Sequence, residues 1–258
     1  MNKKYFFFDY DGTLALPHTY TVPESTRKCL ELLRENGHFV ALATGRLQCN
    51  ALDYVNKAGI SNLVADGGYS VTIDGELKWM RPLDPAPVQA CLRRLDEAGI
   101  PWAVTTANEL KRYTNNPEFD KISGDYYVPT FFDPDMEIGK LDTVYKAYIP
   151  ADAAKEQELE ASGILHGVPW VRYTSDTVFI EPMSKYVGIK KMMDYFNAPY
   201  EDVVVFGDGK NDVSMFIPEW TSIAMGNAKP MLKPRADYIT DDCDKDGIYN
   251  ACKHFGWI

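Results

Sequence analysis

The sequence has few cysteines and no long apolar run. Its 258 residues include five cysteines, an odd number with no C-x-x-C pair, so neither a disulfide framework nor a zinc site is predicted. No stretch approaches the roughly 18 uninterrupted apolar residues of a membrane-spanning helix, and the apolar run near the N-terminus is too short for a signal peptide. We therefore expect a cytoplasmic protein with reduced thiols and no membrane partner.

Positive charge is scarce as well. Lys and Arg number 27 against 37 Asp and Glu, which gives a formal net charge of -10 at pH 7. Nucleic acids and anionic membranes bind positively charged surfaces, so we expect neither as a partner. An anionic substrate would need local positive charge from a metal ion, a lysine or backbone N–H groups.

Two common kinds of phosphate chemistry lack support in the sequence. The string G-x-x-x-x-G-K-[ST] is absent, which argues against a P-loop nucleotide enzyme. The four histidines, His18, His38, His166 and His254, neither cluster nor join a motif, which argues against a phosphohistidine mechanism.

Apolar strands alternate with amphipathic helices at both ends of the chain, which favours a parallel sheet with right-handed crossovers. The alternation breaks near Pro82 and returns near Ser184. An Asp74-Gly75 pair between two apolar runs also predicts a tight hairpin. The strands and helices predicted from the alternation cover residues 5–8, 23–36, 38–43, 47–58, 63–65, 186–196 and 203–206.

This order of elements predicts an α/β fold with a Rossmann-like doubly wound parallel sheet and an inserted domain. We assign residues 1–82 and 184–258 to the core and residues 83–183 to an α+β insertion, or cap, the size of a small domain. The insertion holds no phosphate-binding motif, so we expect it to supply substrate specificity instead. Its aromatic side chains are interpreted mainly as its own core: Trp102, Tyr126, Tyr127, Phe131 and Phe132.

Two carboxylates stand two residues apart where the first predicted strand ends. Asp9 and Asp11 belong to the string D-Y-D-G-T-L, in which Gly-Thr makes the turn. Open α/β sheets build active sites at the carboxyl ends of their strands, where one carboxylate can attack and the other can transfer protons. An ordinary acidic junction would explain D-x-D alone, but the full string is far more specific.

Other predicted strand ends supply groups for an anion and for a cation. Thr44 and Gly45 follow the second strand, where a hydroxyl, a glycine N–H and a helix N-terminus favour a phosphate. A plain strand-to-helix turn would explain this string alone. Asp208 follows the strand over 203–206. Mg2+ usually takes one or two protein carboxylates with water and phosphate oxygens, so Asp9 and Asp208 on neighbouring strands would suffice.

Together these strings resemble the motifs of the haloacid dehalogenase superfamily of phosphotransferases, in particular its Cof-like branch with a type IIB cap. The matching strings are D-Y-D-G-T-L, T-G-R, G-D-G-K-N-D and A-M-G-N-A. The resemblance implies that Asp9 becomes phosphorylated and that Asp11 is the acid and base. It also implies that Thr44 and Gly45 hold the transferring phosphoryl group.

The resemblance extends to the metal ion and its surroundings. It implies a Mg2+ ion held by Asp9, by the backbone carbonyl of Asp11 and by Asp208 as a direct ligand. Asp212 would orient metal-bound water or the loop, and Asn211 would donate a hydrogen bond to the phosphoryl group.

Lys185 resembles the phosphate-binding lysine of the branch, since it precedes the helix that re-enters the core. Lys190 is the nearest competitor for that role. Two residues depart from the pattern of the branch. Tyr186 replaces the usual glycine after the lysine, and Asp66 lies where asparagine is common, so we expect Asp66 to place a carboxylate near the site.

The resemblance implies a Mg2+-dependent phosphatase that hydrolyses a small phosphorylated metabolite, such as a sugar phosphate, through an aspartyl-phosphate intermediate. A phosphohexomutase would share the core and the insertion but return the phosphoryl group to a sugar. A third hypothesis is a non-catalytic regulator that binds phosphorylated metabolites. Such proteins usually lose a catalytic carboxylate, whereas Asp9 and Asp11 are both present.

Overall fold

The computed structural model describes residues 2–123, 127–173 and 175–258. The chain divides into two compact units, which we name the core unit (Met1–Met80 and Met183–Ile258) and the inserted unit (Arg81–Pro182). Tyr126, one of the aromatic residues expected in the core of the insertion, lies outside the described residues. Within the described ranges, every helix is too short or too polar to cross a membrane.

Both units combine strands with helices. The strands, in chain order, are β1 (Tyr5–Phe8), β2 (Phe39–Ala43), β3 (Leu63–Ala65), β4 (Ser70–Ile73), β5 (Glu76–Met80), β6 (Ala103–Thr105), β7 (Arg112–Thr114), β8 (Thr130–Phe132), β9 (Lys146–Pro150), β10 (Trp170–Arg172), β11 (Thr177–Ile180), β12 (Val203–Gly207), β13 (Thr221–Ala224) and β14 (Tyr238–Ile239). The helices are α1 (Glu24–Glu35), α2 (Gln48–Ala58), α3 (Pro85–Glu97), α4 (Phe119–Ile122), α5 (Ala153–Ala161), α6 (Lys185–Tyr195) and α7 (Gly247–His254).

The core unit is built on an eight-stranded sheet with the order β14-β13-β12-β1-β2-β3-β4-β5. The strands from β14 to β3 are parallel, and β4 and β5 add an antiparallel hairpin. Every residue of β1 is buried, because β12 and β2 flank this strand and helices of the unit cover the sheet. The predicted Rossmann-like α/β core is confirmed.

The predicted hairpin at Asp74-Gly75 is confirmed as well. Both residues have positive φ, 50° for Asp74 and 81° for Gly75, as a two-residue turn of the mirror-image type requires. Val71 pairs with Trp79 and Thr72 pairs with Leu77, so the register skips Lys78 and β5 bulges there. This edge of the sheet is therefore an irregular strand.

The inserted unit is an α+β structure with its own core. Its six strands have the order β10-β11-β9-β6-β7-β8, with only β7 and β8 parallel among the described pairs. Leu92 of α3 and Leu159 of α5 pack with Val104, Ile149 and other apolar residues of the sheet. The insertion therefore buries one sheet face under helices.

The expectation for the aromatic residues of the insertion is partly wrong. Trp102 is buried at 1% exposure, but Tyr127, Phe131 and Phe132 are exposed at 37%, 44% and 54%. Phe131 and Phe132 lie on β8, the edge strand of the sheet, where no further strand covers them among the described residues. Edge position depends on strand order, which local aromatic content does not reveal.

Candidate active site

Neighbouring parallel strands bring the predicted motifs to one edge of the core sheet. Phe8 of β1 pairs with Phe206 of β12 and with Leu42 of β2, so the residues after these three strands emerge side by side. The Asp9 N–H donates to the Phe206 carbonyl at 3.0 Å, which extends the pairing by one residue. This edge is the place where open parallel sheets bind ligands.

Lys185 connects two carboxylates at this edge. Its Nζ lies 2.6 Å from Asp9 Oδ1 and 2.6 Å from Asp212 Oδ1, and its side chain is fully buried. Burial disfavours the ammonium, but the Asp212 and Asp9 carboxylates outweigh burial and raise the pKa of Lys185 above its ordinary value. Lys190, the competitor for this role, instead lies over the rings of Tyr186 and Tyr200.

Asp212 fixes the loop after β12. Its Oδ2 accepts the backbone N–H groups of Asp208 at 2.9 Å and Gly209 at 2.8 Å, while its Oδ1 contacts Lys185. Asn211 is half-buried in the same loop. Asp212 therefore holds Asp208 through the backbone and Asp9 through a shared lysine.

Three carboxylates converge beside the buried Lys185. Ligand oxygens of Asp9, Asp208 and Asp212 all lie within 4.8 Å of one another. Burial, followed by the Asp212 carboxylate, raises the pKa of Asp9 well above its ordinary value and the pKa of Asp208 to about 7. A cation would relieve this repulsion, and carboxylate oxygens are the hard donors that Mg2+ prefers, so the residues present fit this ion.

The glycine and threonine of the first motif shape the position of Asp208. Gly12 has φ of +86°, and a Cβ built on it would lie 2.6 Å from Asp208 Oδ2. The Thr13 hydroxyl donates to Asp208 Oδ1 at 3.2 Å. The first loop, which follows β1, therefore approaches Asp208 so closely at Gly12 that a side chain there would collide with it.

Asn227 ties this first loop to the C-terminal part of the chain. Its Nδ2 donates to the Gly12 carbonyl at 2.8 Å, and its Oδ1 accepts the Cys243 N–H at 2.8 Å. The sequence placed Asn227 in a matching motif without a role. The contact joins residues 215 positions apart, so the motif was the only sequence signal for it.

Thr44 and Gly45 lie directly after β2, next to the end of β1. Both are buried, and Thr44 Oγ1 accepts the Arg46 N–H at 3.2 Å. The Gly67 N–H donates to the Thr44 carbonyl at 3.1 Å. These bonds fix the loop, and a phosphoryl-binding role for Thr44, Gly45 and Asn211 stays a prediction.

Arg46 binds the carboxylate of Asp11. Nη2 of Arg46 lies 2.8 Å from Asp11 Oδ1, and its Nε lies 3.0 Å from Asp11 Oδ2. No feature of the sequence connects Arg46 to Asp11. Arg46 belongs to the T-G-R motif. Its guanidinium reaches the first motif because β1 and β2 are neighbouring strands.

Asp66 has a structural role that the sequence did not indicate. Its Oδ2 accepts the Gln48 N–H at 3.1 Å and the Ser70 hydroxyl at 2.7 Å. Gln48 is the first residue of α2, so this carboxylate satisfies a backbone donor that the helix leaves free. Asp66 therefore caps α2, and it lies next to the T-G-R loop, where its N–H donates to the Arg46 carbonyl at 2.9 Å.

Tyr186 does not disturb the start of α6. Its side chain is exposed at 39%, away from the buried Lys185. The backbone near the start of α6 packs tightly at two other residues, both glycines. A Cβ on Gly68 would lie 2.1 Å from the Ser184 carbonyl, and one on Gly188 would lie 2.9 Å from the Gly68 carbonyl. A glycine at position 186 is therefore not needed for this packing.

A sequence model of the haloacid dehalogenase-like hydrolase family matches residues 6–252. The chain belongs to this family. YkrA of Bacillus subtilis (strain 168) is 29% identical to this haloacid dehalogenase-like hydrolase over 276 residues, and the match covers 100% of both chains. The 5-amino-6-(5-phospho-D-ribitylamino)uracil phosphatase YitU of the same strain is 24% identical over 264 residues and covers 96% of this chain and 95% of its own.

Solved structures of the same family share the fold. The subclass IIB sugar phosphatase BT4131 is 27% identical, with a TM-score of 0.79 over 99% of this chain and 100% of its own. The family match and the phosphatases among its relatives identify this haloacid dehalogenase-like hydrolase as a phosphatase.

Proposed function

We propose that this haloacid dehalogenase-like hydrolase is a Mg2+-dependent phosphatase of small-molecule phosphomonoesters that works through an aspartyl-phosphate on Asp9. The observation that carries the proposal is the position of Asp9, whose Oδ1 is bound by Lys185 at 2.6 Å beside Asp208 and Asp212. A buried carboxylate fixed at one oxygen by a lysine can present the other oxygen as a nucleophile.

Asp9 would attack phosphorus in line with the leaving alcohol. A bond forms between an Asp9 oxygen and phosphorus while the bond from phosphorus to the ester oxygen breaks. Lys185 would fix Asp9 during the attack and offset negative charge on the phosphoryl oxygens. Thr44, Gly45 and Asn211 would hold those oxygens by hydrogen bonds.

Asp11 would move the protons of both half-reactions. As an acid it gives a proton to the leaving oxygen, and as a base it takes one from the water that hydrolyses the aspartyl-phosphate. Its side chain is 41% exposed and lies two residues from Asp9, which suits a group that must meet both the alcohol and the water.

Asp9, the backbone carbonyl of Asp11 and Asp208 would hold the Mg2+ ion, with Asp212 fixing the loop that carries Asp208. When bound, Mg2+ supplies positive charge that offsets the negative charge of the carboxylates and of the phosphoryl group. The closeness of the Asp9 and Asp208 oxygens, within 4.8 Å, supports these two ligands.

We assign the choice of leaving group to the insertion, for which the sequence predicts residues 83–183. Every motif with a chemical role lies in the core unit, whereas the inserted unit offers exposed aromatic side chains such as Phe131 and Phe132. YitU is named for a phosphorylated ribitylamino compound and BT4131 for sugar phosphates. Both names support a sugar phosphate or similar metabolite as the substrate.

A substrate panel tests the proposal. The purified protein is incubated with several dozen phosphorylated metabolites, with Mg2+ or with EDTA, and inorganic phosphate and sugar products are measured. We expect phosphate release that requires Mg2+ and that Asp9→Asn abolishes without unfolding the protein. An isomerised sugar phosphate without free phosphate would show a phosphohexomutase, and binding without turnover would show a regulator.

A further inference from the structure

The guanidinium of Arg46 binds both oxygens of the Asp11 carboxylate. The two contacts with Arg46 are 2.8 Å and 3.0 Å long and use different nitrogens, which is the planar fork geometry of a bidentate pair. Such a pair fixes the plane of the carboxylate as well as its position. A lysine in place of Arg46 would supply charge without this fork.

Tyr54 of α2 supports the same guanidinium. The Arg46 Cζ lies 4.1 Å from the centre of the Tyr54 ring, and the Arg46 Nη1 donates to the Tyr54 hydroxyl at 3.1 Å. The Tyr54 ring in turn meets the buried Tyr10 ring edge-on at 4.8 Å. Tyr10 is the residue between Asp9 and Asp11 in the sequence. Tyr54 therefore contacts both the Arg46 guanidinium and the loop that carries Asp11.

Stability alone does not account for this arrangement. The Asp11 side chain is 41% exposed and the Arg46 side chain is 19% exposed, and ion pairs near the surface contribute little to folding. A half-exposed carboxylate is otherwise free to rotate. Proton transfer, by contrast, requires an oxygen at a fixed distance and angle from the reacting atom.

We infer that Tyr54 and Arg46 act as positioning residues that orient the Asp11 carboxylate for proton transfer. The inference rests on the proposed function, in which Asp11 is the acid and base. Tyr54 places the guanidinium, the guanidinium fixes the carboxylate, and neither residue needs to touch the substrate. None of the matching sequence motifs includes Tyr54.

The test compares two leaving groups. An alkyl phosphate that the wild type hydrolyses needs a proton on its leaving oxygen, whereas p-nitrophenyl phosphate hardly does. We expect Tyr54→Phe to lower kcat/KM for the alkyl ester by about threefold, and Tyr54→Leu and Arg46→Lys by about tenfold or more, because kcat/KM reports the step that releases the alcohol. Each loss of kcat/KM should be clearly smaller for p-nitrophenyl phosphate.

Matched variants separate this effect from general damage. Tyr200→Phe removes a tyrosine hydroxyl that donates to Asp194 elsewhere in the core unit and should leave both rates unchanged. Melting temperatures show whether each variant is folded. Equal losses of kcat/KM for the two esters, a change confined to KM, or an effect of Arg46→Lys with none for either Tyr54 variant would overturn the inference.

Asp11→Asn, run beside these variants, separates the inference from the proposed function. If Asp11→Asn lowers kcat/KM selectively for the alkyl ester while the Tyr54 and Arg46 variants do not, the inference alone is wrong. If the wild type releases no phosphate, or Asp11→Asn lowers kcat/KM equally for both esters, the proposed acid role of Asp11 is wrong and the inference falls with it.

Discussion

Gly12 lies so close to Asp208 that no side chain fits between them. A Cβ on Gly12 would stand 2.6 Å from Asp208 Oδ2, and the φ of +86° already disfavours any other residue. We expect Gly12→Ala to displace Asp208, to raise the Mg2+ concentration needed for half-maximal activity and to lower kcat about tenfold or more. Titration of activity with Mg2+ measures both effects.

Gly37→Ala is the matched control for this variant. Gly37 has φ of +83°, and no atom lies within 4 Å of a Cβ built on it. Both variants therefore carry similar backbone strain, about 1 kcal/mol, but only Gly12→Ala carries the collision. Equal Mg2+ dependence in the two variants would show that the approach to Asp208 does not matter.

Lys185→Met should abolish most of the activity. The variant leaves the buried Asp9 and Asp212 without the cation that lies 2.6 Å from each, so Asp9 loses its orientation and the phosphoryl group loses a positive charge. We expect kcat to fall about 100-fold or more. Lys190→Met, which only uncovers two tyrosine rings, should stay within about twofold of the wild type. Comparable losses in the two variants would contradict the assignment of Lys185.

The metal-free protein should lose stability as the pH rises. The pKa of Asp208 is raised from 3.8 to about 7 in the folded protein, so the folded state binds this proton more tightly than the unfolded state does. The stability that this group provides is present below pH 3.8 and is lost as the pH rises through about 7. Melting temperatures in EDTA at about pH 5.5 and about pH 8 measure the loss.

Asp208→Asn isolates the contribution of this carboxylate. The amide stays neutral, so in EDTA the variant should melt above the wild type at about pH 8 and show a weaker fall with pH. Mg2+ should raise the melting temperature of the wild type more at about pH 8 than at about pH 5.5, and raise that of the variant less. Parallel pH curves for the two proteins would contradict the raised pKa.

Asn227→Asp should lower kcat while Asn250→Asp should not. An aspartate at position 227 keeps the acceptor for the Cys243 N–H but faces the Gly12 carbonyl with a second acceptor. We expect kcat to fall about tenfold, because the first loop loses a hydrogen bond and gains a repulsion. Asn250 donates to Asp241 and to the Lys245 carbonyl and makes neither of the Asn227 contacts. Its variant therefore measures the effect of the same substitution without a change at Gly12.

The sequence predicted the elements well because local pattern determines them. The apolar run before Asp9 forms β1, the run before Asp208 forms β12, and both strands pair as the alternation of elements requires. The place of Lys185 before the helix that re-enters the core likewise singled out this residue, whose Nζ lies 2.6 Å from Asp9 Oδ1. Local pattern was sufficient there because each motif is continuous in the chain.

Contacts between distant segments were not predictable in this way. The pair of Arg46 and Asp11 depends on the strand order, and the bond from Asn227 to Gly12 spans 215 positions. Asp66 was interpreted from its departure from the asparagine of the branch, and that comparison does not show the bonds to α2 and β4 that make it a helix cap. Exposure of Phe132 likewise follows from the place of β8 at a sheet edge.

The bulge at Lys78 also affects the tendency of the protein to aggregate at high concentration. An edge strand offers unpaired backbone donors and acceptors to any other chain, and natural sheets discourage such pairing with short strands, bulges and lysines. The strand β5 has two of these features, a bulge and a lysine, and both lie at Lys78. Replacing Lys78 with valine would remove the charge from this edge and should promote precipitation at high protein concentration without altering the chemistry of the site.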